Sequence, residues 1–215
     1  VKEIGSLVVF EGVGNAGKGT QIRLASGLLR RNGYDVLTFR EPGGTGVGED
    51  IRELIFDLRR EHLITPGEQM VLFFASRRAL LKEVINPGLA QGKLILGDRF
   101  YTSTGAYQGY AEGGDMEKIL ALIRVGLKGF KPDAVILLDV SPETAMAREK
   151  KENDDPYDRN LPDYYRRLVA GYREMAASGW GDMKWYKVDG EPAIKQVLEE
   201  VRAVLEEILQ RKLGK

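Results

Sequence analysis

The chain reads as an α/β protein: five short strands in a parallel sheet, with helices covering both faces. Three observations predict this. Apolar runs of four or five residues recur along the chain, stretches long enough for a helix separate them, and glycine-rich turns stand where the runs end. Strands buried on both faces read as continuous apolar runs, and parallel neighbours need long crossovers.

The elements follow in order. Leu7-Val8-Val9-Phe10 is the first strand and ends in glycines. Gln21 to Arg31 carries Ile22, Leu24, Leu28 and Leu29 at helical spacing and stops at Asn32-Gly33. Asp35 to Phe39 is a second strand, followed by a glycine-rich loop and a helix near Glu49 to Arg59. A long helical pattern opens at Pro66 and passes Phe73, Phe74, Leu80 and Leu81 toward Val84, with Pro87-Gly88 as a break. Lys93 to Leu96 is the third strand. Ala134 to Leu138, between Pro132 and Pro142, is another, and Trp185 to Val188 is the weakest. Ala193 to Lys212 closes the chain as an amphipathic helix. No repeat or linker divides the sequence, so residues 1–215 are expected to form one domain. Glu149 to Asn160 is a strongly polar excursion.

Lysine plus arginine count 32 and aspartate plus glutamate count 32, a formal net charge of zero. That argues against a protein that coats nucleic acid or a membrane surface, since both need a cationic excess. The absence of cysteine removes disulfides, zinc–thiolate centres and thiol catalysis, and the single histidine, His62, cannot build a metal cluster. No stretch nears the ~18 apolar residues of a membrane span. The start of the chain lacks a signal-peptide core, so a cytoplasmic location is expected. Glycine is the outlier: 26 of 215 residues is about 12%, against an average near 7%.

Four of those glycines fall after the first strand, in Gly12-Val13-Gly14-Asn15-Ala16-Gly17-Lys18-Gly19-Thr20. Gly-x-x-x-x-Gly-Lys between a strand and a helix is a phosphate loop. Its backbone N–H groups turn toward phosphate oxygens, the helix adds its positive end, and Lys18 neutralises the outer phosphates. Gly19 stands where a Mg²⁺-ligating hydroxyl usually follows the lysine, and Thr20 comes one position later. A second glycine loop, Arg40-Glu41-Pro42-Gly43-Gly44-Thr45, also follows a strand, at the sheet edge where ligands bind. Phe74 and Arg78 lie four apart on a helix, which lets an aromatic stack on a base while a guanidinium grips an anion. Gly97-Asp98-Arg99-Phe100 ends a strand, and Thr104 and Gln108 share a face of the helix after it.

Taken together, the phosphate loop, Arg-Glu-Pro-Gly-Gly-Thr, Phe-Ala-x-x-Arg and Asp-Arg-Phe-x-x-Ser-x-x-Ala-Tyr-Gln-Gly resemble thymidylate kinases of the nucleoside monophosphate kinase group, over nearly the whole chain. The resemblance implies a three-layer P-loop kinase fold with a small lid at about 148–160. It implies transfer of the γ-phosphoryl of ATP to dTMP in dTTP biosynthesis, with Mg²⁺, in a homodimer. It makes Gly12, Gly14, Asn15, Ala16, Gly17, Lys18, Gly19, Thr20 and Arg148 the ATP site. On the acceptor side, Phe74 would stack on thymine, Arg78 would contact base or phosphate, and Arg99 and Arg40 would hold the acceptor phosphate. Thr104 and Gln108 would read the base edge, Tyr107 would lie against the sugar, Glu11 would belong to the dTMP site close to the metal, and Asp98 would hold magnesium through water. Arg77 stands where the family usually has an acid and is left to solvent. Gly14 replaces an acid that usually touches the sugar 3′-hydroxyl. Asn15 replaces the arginine some relatives carry in the loop, so the catalytic cation is expected from Arg148, Lys151 or Arg159. Arg159 is preferred, and Lys150 is assigned to solvent. The alternatives are a nucleoside monophosphate kinase of different base preference and a P-loop regulatory protein.

Overall fold

The computed structural model describes residues 5–148, 157 and 162–214. Five strands, β1 (Ser6–Glu11), β2 (Val36–Arg40), β3 (Leu94–Asp98), β4 (Ala134–Asp139) and β5 (Trp185–Asp189), form one parallel sheet in the order β2-β3-β1-β4-β5. The α/β fold read from the sequence is therefore present, strand for strand. β1 is central. The chain leaves it toward β2 on one side and later reaches β4 on the other, so loops diverge at its carboxyl end and open a crevice there.

Successive strand residues point to opposite faces, which divides the core in two. Val8, Phe10, Leu96 and Ile136 pack with Ile22, Ala25 and Leu29 of α1 (Lys18–Arg31) and Val197, Val201 and Leu205 of α9 (Ile194–Leu209). Leu7, Val9, Ile95 and Val135 pack with Phe74 and Leu80 of α3 (Pro66–Leu80) and Ile119 and Ile123 of α6 (Met116–Gly126). β5 is an edge strand and only Val188 in it is buried, which explains its faint apolar signal.

Three further helices complete the layers: α2 (Gly46–Arg60), α7 (Pro142–Ala147) and α8 (Pro162–Ser178). α3 starts where the sequence places it. Thr65 caps it by accepting from the Glu68 N–H, the Glu68 carboxylate returns to the Thr65 N–H, and Pro66 fills a position whose N–H would be unpaired. The expected break at Pro87-Gly88 takes another form. α3 widens into a π-helical turn at Leu81–Ile85 and continues as α4 (Asn86–Ala90), so the proline enters at the start of a new helical segment. A second π-helical segment, Gly105–Ala111, extends α5 (Tyr101–Thr104) and carries Tyr107 and Gln108.

At Gly97 in β3, a Cβ would stand 2.5 Å from the ring of Phe39 on β2. Gly97→Ala should therefore cost roughly 1–3 kcal/mol through overpacking, read as a lower urea midpoint at unchanged m-value.

Candidate active site

The phosphate loop leaves β1 through Gly12, whose φ of 137° suits glycine; a Cβ there would lie 2.6 Å from the Leu138 carbonyl oxygen. Gly17, at φ 94°, is the N-cap of α1 and offers no side-chain acceptor. The first N–H groups of α1 thus lack the usual cap and suit an anion. Lys18 is buried, and its ammonium donates to the carbonyls of Gly12 at 3.1 Å and Val13 at 2.8 Å. A phosphate entering the loop would take over that charge. Beside the loop is an open cavity with ≈ 850 Å³ of empty space counting its solvent-open mouth, lined by Asn15, Gly17, Thr20, Arg148 and Ile194 among others. Arg148 is held there by bonds to the carbonyls of Gly190 at 3.0 Å and Glu191 at 3.1 Å.

A second open cavity, with ≈ 500 Å³ of empty space counting its solvent-open mouth, lies between α3 and the segment 99–108, with Phe73, Arg77, Arg99, Thr104, Tyr107 and Gln108 in its wall. Arg77 is only 3% exposed, and its Nε donates to both carboxylate oxygens of Glu41, at 3.0 and 2.7 Å. Its Nη2 lies 2.7 Å from Glu41 Oε2 and 3.4 Å from Thr104 Oγ1, while Nη1 is buried without a partner among the described residues. Such an unmet donor is expensive in an empty protein and suits a ligand oxygen. Burial raises the Glu41 carboxyl from 4.5 to about 7; Arg77 pulls against that shift, and Glu11 adds to it.

Arg99 links the two cavities. It lines the second, yet its Nη1 donates to the carbonyl of Gly12 at 3.0 Å. The same nitrogen donates to Ser103 Oγ and Tyr172 Oη, both at 3.2 Å, and Nη2 donates to Tyr107 Oη at 2.9 Å. Those two hydroxyls in turn donate to Glu11 Oε2, at 2.7 Å from Ser103 and 2.9 Å from Tyr172. Burial acts to lower the guanidinium pKa, but Tyr107, Tyr172, Glu11 and Asp98 outweigh it and hold the group well above its ordinary value. Arg99 is therefore a fixed, permanent cation, with backbone in the left-handed region at φ 69°.

The predicted residues divide accordingly. Arg99, Thr104, Tyr107 and Gln108 share the second cavity, and the glycine loop, Asn15, Lys18, Thr20 and Arg148 gather at the first. Phe74 and Arg78 are one residue out of register. Phe74 is buried in the core against Gly126, and Arg78 is exposed, whereas Phe73 and Arg77 face the cavity. Both pairs are four apart, so spacing cannot choose between them; the helix turns about 100° per residue, and only one pair can face inward. Arg77, assigned to solvent, is thus a wall of the site. Arg40 lies outside the cavity wall, half exposed and paired with Glu49 at 2.7 Å. Glu11 is fully buried and accepts from the Phe100 N–H, Thr102, Ser103 and Tyr172, which makes it a brace for Arg99 rather than a ligand group. Glu41, Tyr157 and Phe73 were missed. The signal for Glu41 was its place within Arg-Glu-Pro-Gly-Gly-Thr at a strand end. Arg159, Lys150 and Lys151 lie outside the described residues.

Asp98 closes β3, and its Oδ2 lies 3.8 Å from where a Cβ of residue 19 would stand. Among the described residues no group of three or more His, Cys, Asp or Glu side chains could hold a metal. A cation here would bring its own oxygens, from phosphates and water, to the Asp98 carboxylate.

Comparison with known proteins gives one consistent result. The family model described as thymidylate kinase matches residues 10–201. The thymidylate kinase of Caldanaerobacter subterraneus subsp. tengcongensis is 35% identical over 206 residues, covering 96% of this chain and 97% of that one. The thymidylate kinase of Chlorobium luteolum is 39% identical over 188 residues, covering 83% and 87%. Among solved structures, the thymidylate kinase of Ehrlichia chaffeensis superposes with a TM-score of 0.76 at 28% identity, covering 94% of this chain and 98% of that one.

Proposed function

The chain belongs to the thymidylate kinase family, and from that premise we propose that it phosphorylates dTMP to dTDP with ATP as donor, a step in dTTP synthesis. The observation that carries the reading is Arg99, which lines the acceptor cavity and bonds the first glycine of the phosphate loop at 3.0 Å. A phosphoryl group moving from the loop to an acceptor must pass that guanidinium.

In this reading Gly12 to Thr20 and Lys18 hold the donor phosphates, and Arg148 borders the donor base. Phe73, in place of Phe74, stacks on thymine. Arg77 Nη1 meets a base carbonyl, Thr104 and Gln108 complete the edge, and Tyr107 abuts the sugar. The acceptor phosphate is already anionic near neutrality, so no strong base is required. The chemistry reduces to alignment and to offsetting the repulsion between two anions. Asp98 would hold Mg²⁺, which when bound neutralises charge on the donor phosphates. Asn15 supplies no charge in the loop, so a cation from 148–160 is required, and Arg159 is assigned that role.

The homodimer is supported by exposed apolar residues on two adjacent helices, Val71 of α3 and Leu122 and Val125 of α6. Among the described residues no helix is long and apolar enough to cross a membrane.

Incubating the protein with ATP and, separately, dTMP, dUMP, dGMP, AMP and CMP should give the highest kcat/KM for dTMP. A higher value for any other acceptor would overturn the substrate. ATP binding without transfer to any acceptor would favour a regulatory protein.

A further inference from the structure

Behind the acceptor cavity, Arg59, Gln69 and Glu112, which do not line it, form a polar cluster with the wall residues Gln108 and Tyr157. Gln69 of α3 is 1% exposed, and its Oε1 accepts from Arg59 Nη1 at 3.2 Å and Tyr157 Oη at 2.5 Å. The Gln108 Nε2 reaches the same oxygen at 3.5 Å. Arg59 also pairs with Glu112 at 2.8 Å, and its guanidinium sits 3.9 Å from the centroid of the Tyr157 ring.

The direction of these bonds is decided by Arg59 and supported by Glu112, whose carboxylate also takes a hydrogen bond from the Gln108 side chain. An amide carries an acceptor at one end and donors at the other, and Gln108 could present either to the cavity. Arginine has only donors, so the Gln69 atom facing Arg59 has to be its oxygen. That oxygen in turn calls for the NH₂ end of Gln108, which leaves the Gln108 carbonyl oxygen for the cavity. On the adjoining wall Arg77 offers the unmatched Nη1 donor. Because Arg77 already donates to Thr104 Oγ1, the threonine proton is free to point elsewhere. Toward a base, these three groups present donors from Arg77 and Thr104 and one acceptor from Gln108. A keto pyrimidine matches them, with carbonyl oxygens and one ring N–H. An aminopyrimidine opposes them twice, with an amino group toward Arg77 and a ring nitrogen lone pair toward the Gln108 oxygen.

We infer that Arg59 and Gln69, neither of which lines the cavity, are positioning residues that select keto over amino pyrimidines by fixing which end of the Gln108 amide faces the base. This rests on the thymidylate kinase reading above and adds to it residues that act only through another side chain.

The test compares kcat/KM for dTMP, dUMP and dCMP in the wild type, Gln69→Leu, Gln69→Glu, Arg59→Met and Arg59→Lys, with thermal unfolding to confirm folding. Gln69→Leu removes one of the two acceptors that hold the Gln108 NH₂ end, Glu112 being the other, so the dTMP-to-dCMP ratio should narrow by about tenfold, the worth of one well-made hydrogen bond. The change should come mainly from a higher KM for dTMP. Arg59→Met should act in the same direction and carries the test if Gln69→Leu does not fold. Gln69→Glu keeps an acceptor opposite Gln108, and Arg59→Lys keeps a donor-only partner, so both should hold the ratio within about threefold of wild type. A folded Gln69→Leu or Arg59→Met with an unchanged ratio overturns the assigned role, as does equal narrowing in the conservative variants. A wild type inactive on dTMP would instead overturn the kinase reading, and this selection with it.

Discussion

Arg77→Ala should lower kcat/KM for dTMP by at least about a hundredfold, near the upper end of what a hydrogen bond to a charged group contributes, while Arg78→Ala stays within about twofold of wild type. The contrast follows from one helical step. Arg77 is buried in the cavity wall, and Arg78 on the same helix is exposed. Steady-state kinetics on the two variants would reverse the assignment if Arg78→Ala were the damaged one. Stability should move as well, because removing Arg77 leaves Glu41 buried without its counter-ion, a loss on the order of 3–5 kcal/mol where such a pair is broken.

The same pair sets a pH dependence. Burial raises the Glu41 pKa from 4.5 to about 7 against the pull of Arg77. Between those values the folded protein keeps a proton that the unfolded chain has lost, so this group's contribution to stability falls as pH rises, by at most about 1.4 kcal/mol per unit. Above about pH 7 the carboxylate is ionised in both states and the slope ends. Glu41→Gln should flatten the profile of unfolding free energy from pH 4.5 to 7, and Arg77→Ala should extend its fall above pH 7. A wild-type profile that rises through that window would contradict the burial of this carboxyl.

The strands and the phosphate loop were legible in the sequence because their signals are local. A strand buried on both faces must be apolar throughout, and a loop that cradles phosphate must carry glycine at fixed offsets. The acceptor cavity was legible only in part, because the rotation of α3 about its axis is set by packing between helix and sheet. Phe73-Phe74 and Arg77-Arg78 duplicate the chemistry on two faces, and the choice lies in contacts such as Gly126 against Phe74 and Glu41 against Arg77. The surroundings of Glu11 were hidden for a related reason. A carboxylate beside a phosphate loop suggests a ligand group, yet four donors from residues 100 to 172 in the chain satisfy it internally. Arg40 shows the converse: its motif pointed inward, while Glu49 five residues past Gly44 is close enough to hold it at the surface.

Arg99→Ala should be the most damaging substitution in the acceptor half of the site, lowering kcat by about a thousandfold, the smaller end of what an arginine at a transferring phosphoryl supplies. Two losses combine. The cation between donor loop and acceptor disappears, and the bond to Gly12 that sets their separation goes with it. Ser103 and Tyr172 lose the donor they accept from, although Glu11 still receives their protons, so the turn itself should persist and the protein should fold. Arg99→Lys restores charge but not reach, because one ammonium cannot replace two nitrogens bonded to Gly12, Ser103, Tyr172 and Tyr107. It should recover no more than about a tenth of the wild-type rate. Tyr172→Phe provides the control for positioning: the guanidinium keeps its charge and loses one of its braces, so kcat should fall about tenfold with little change in KM for either nucleotide. A thousandfold loss in Tyr172→Phe as well would place the catalytic effect in the Glu11 network. An Arg99→Ala enzyme within tenfold of wild-type kcat would remove Arg99 from the path of the transferred group.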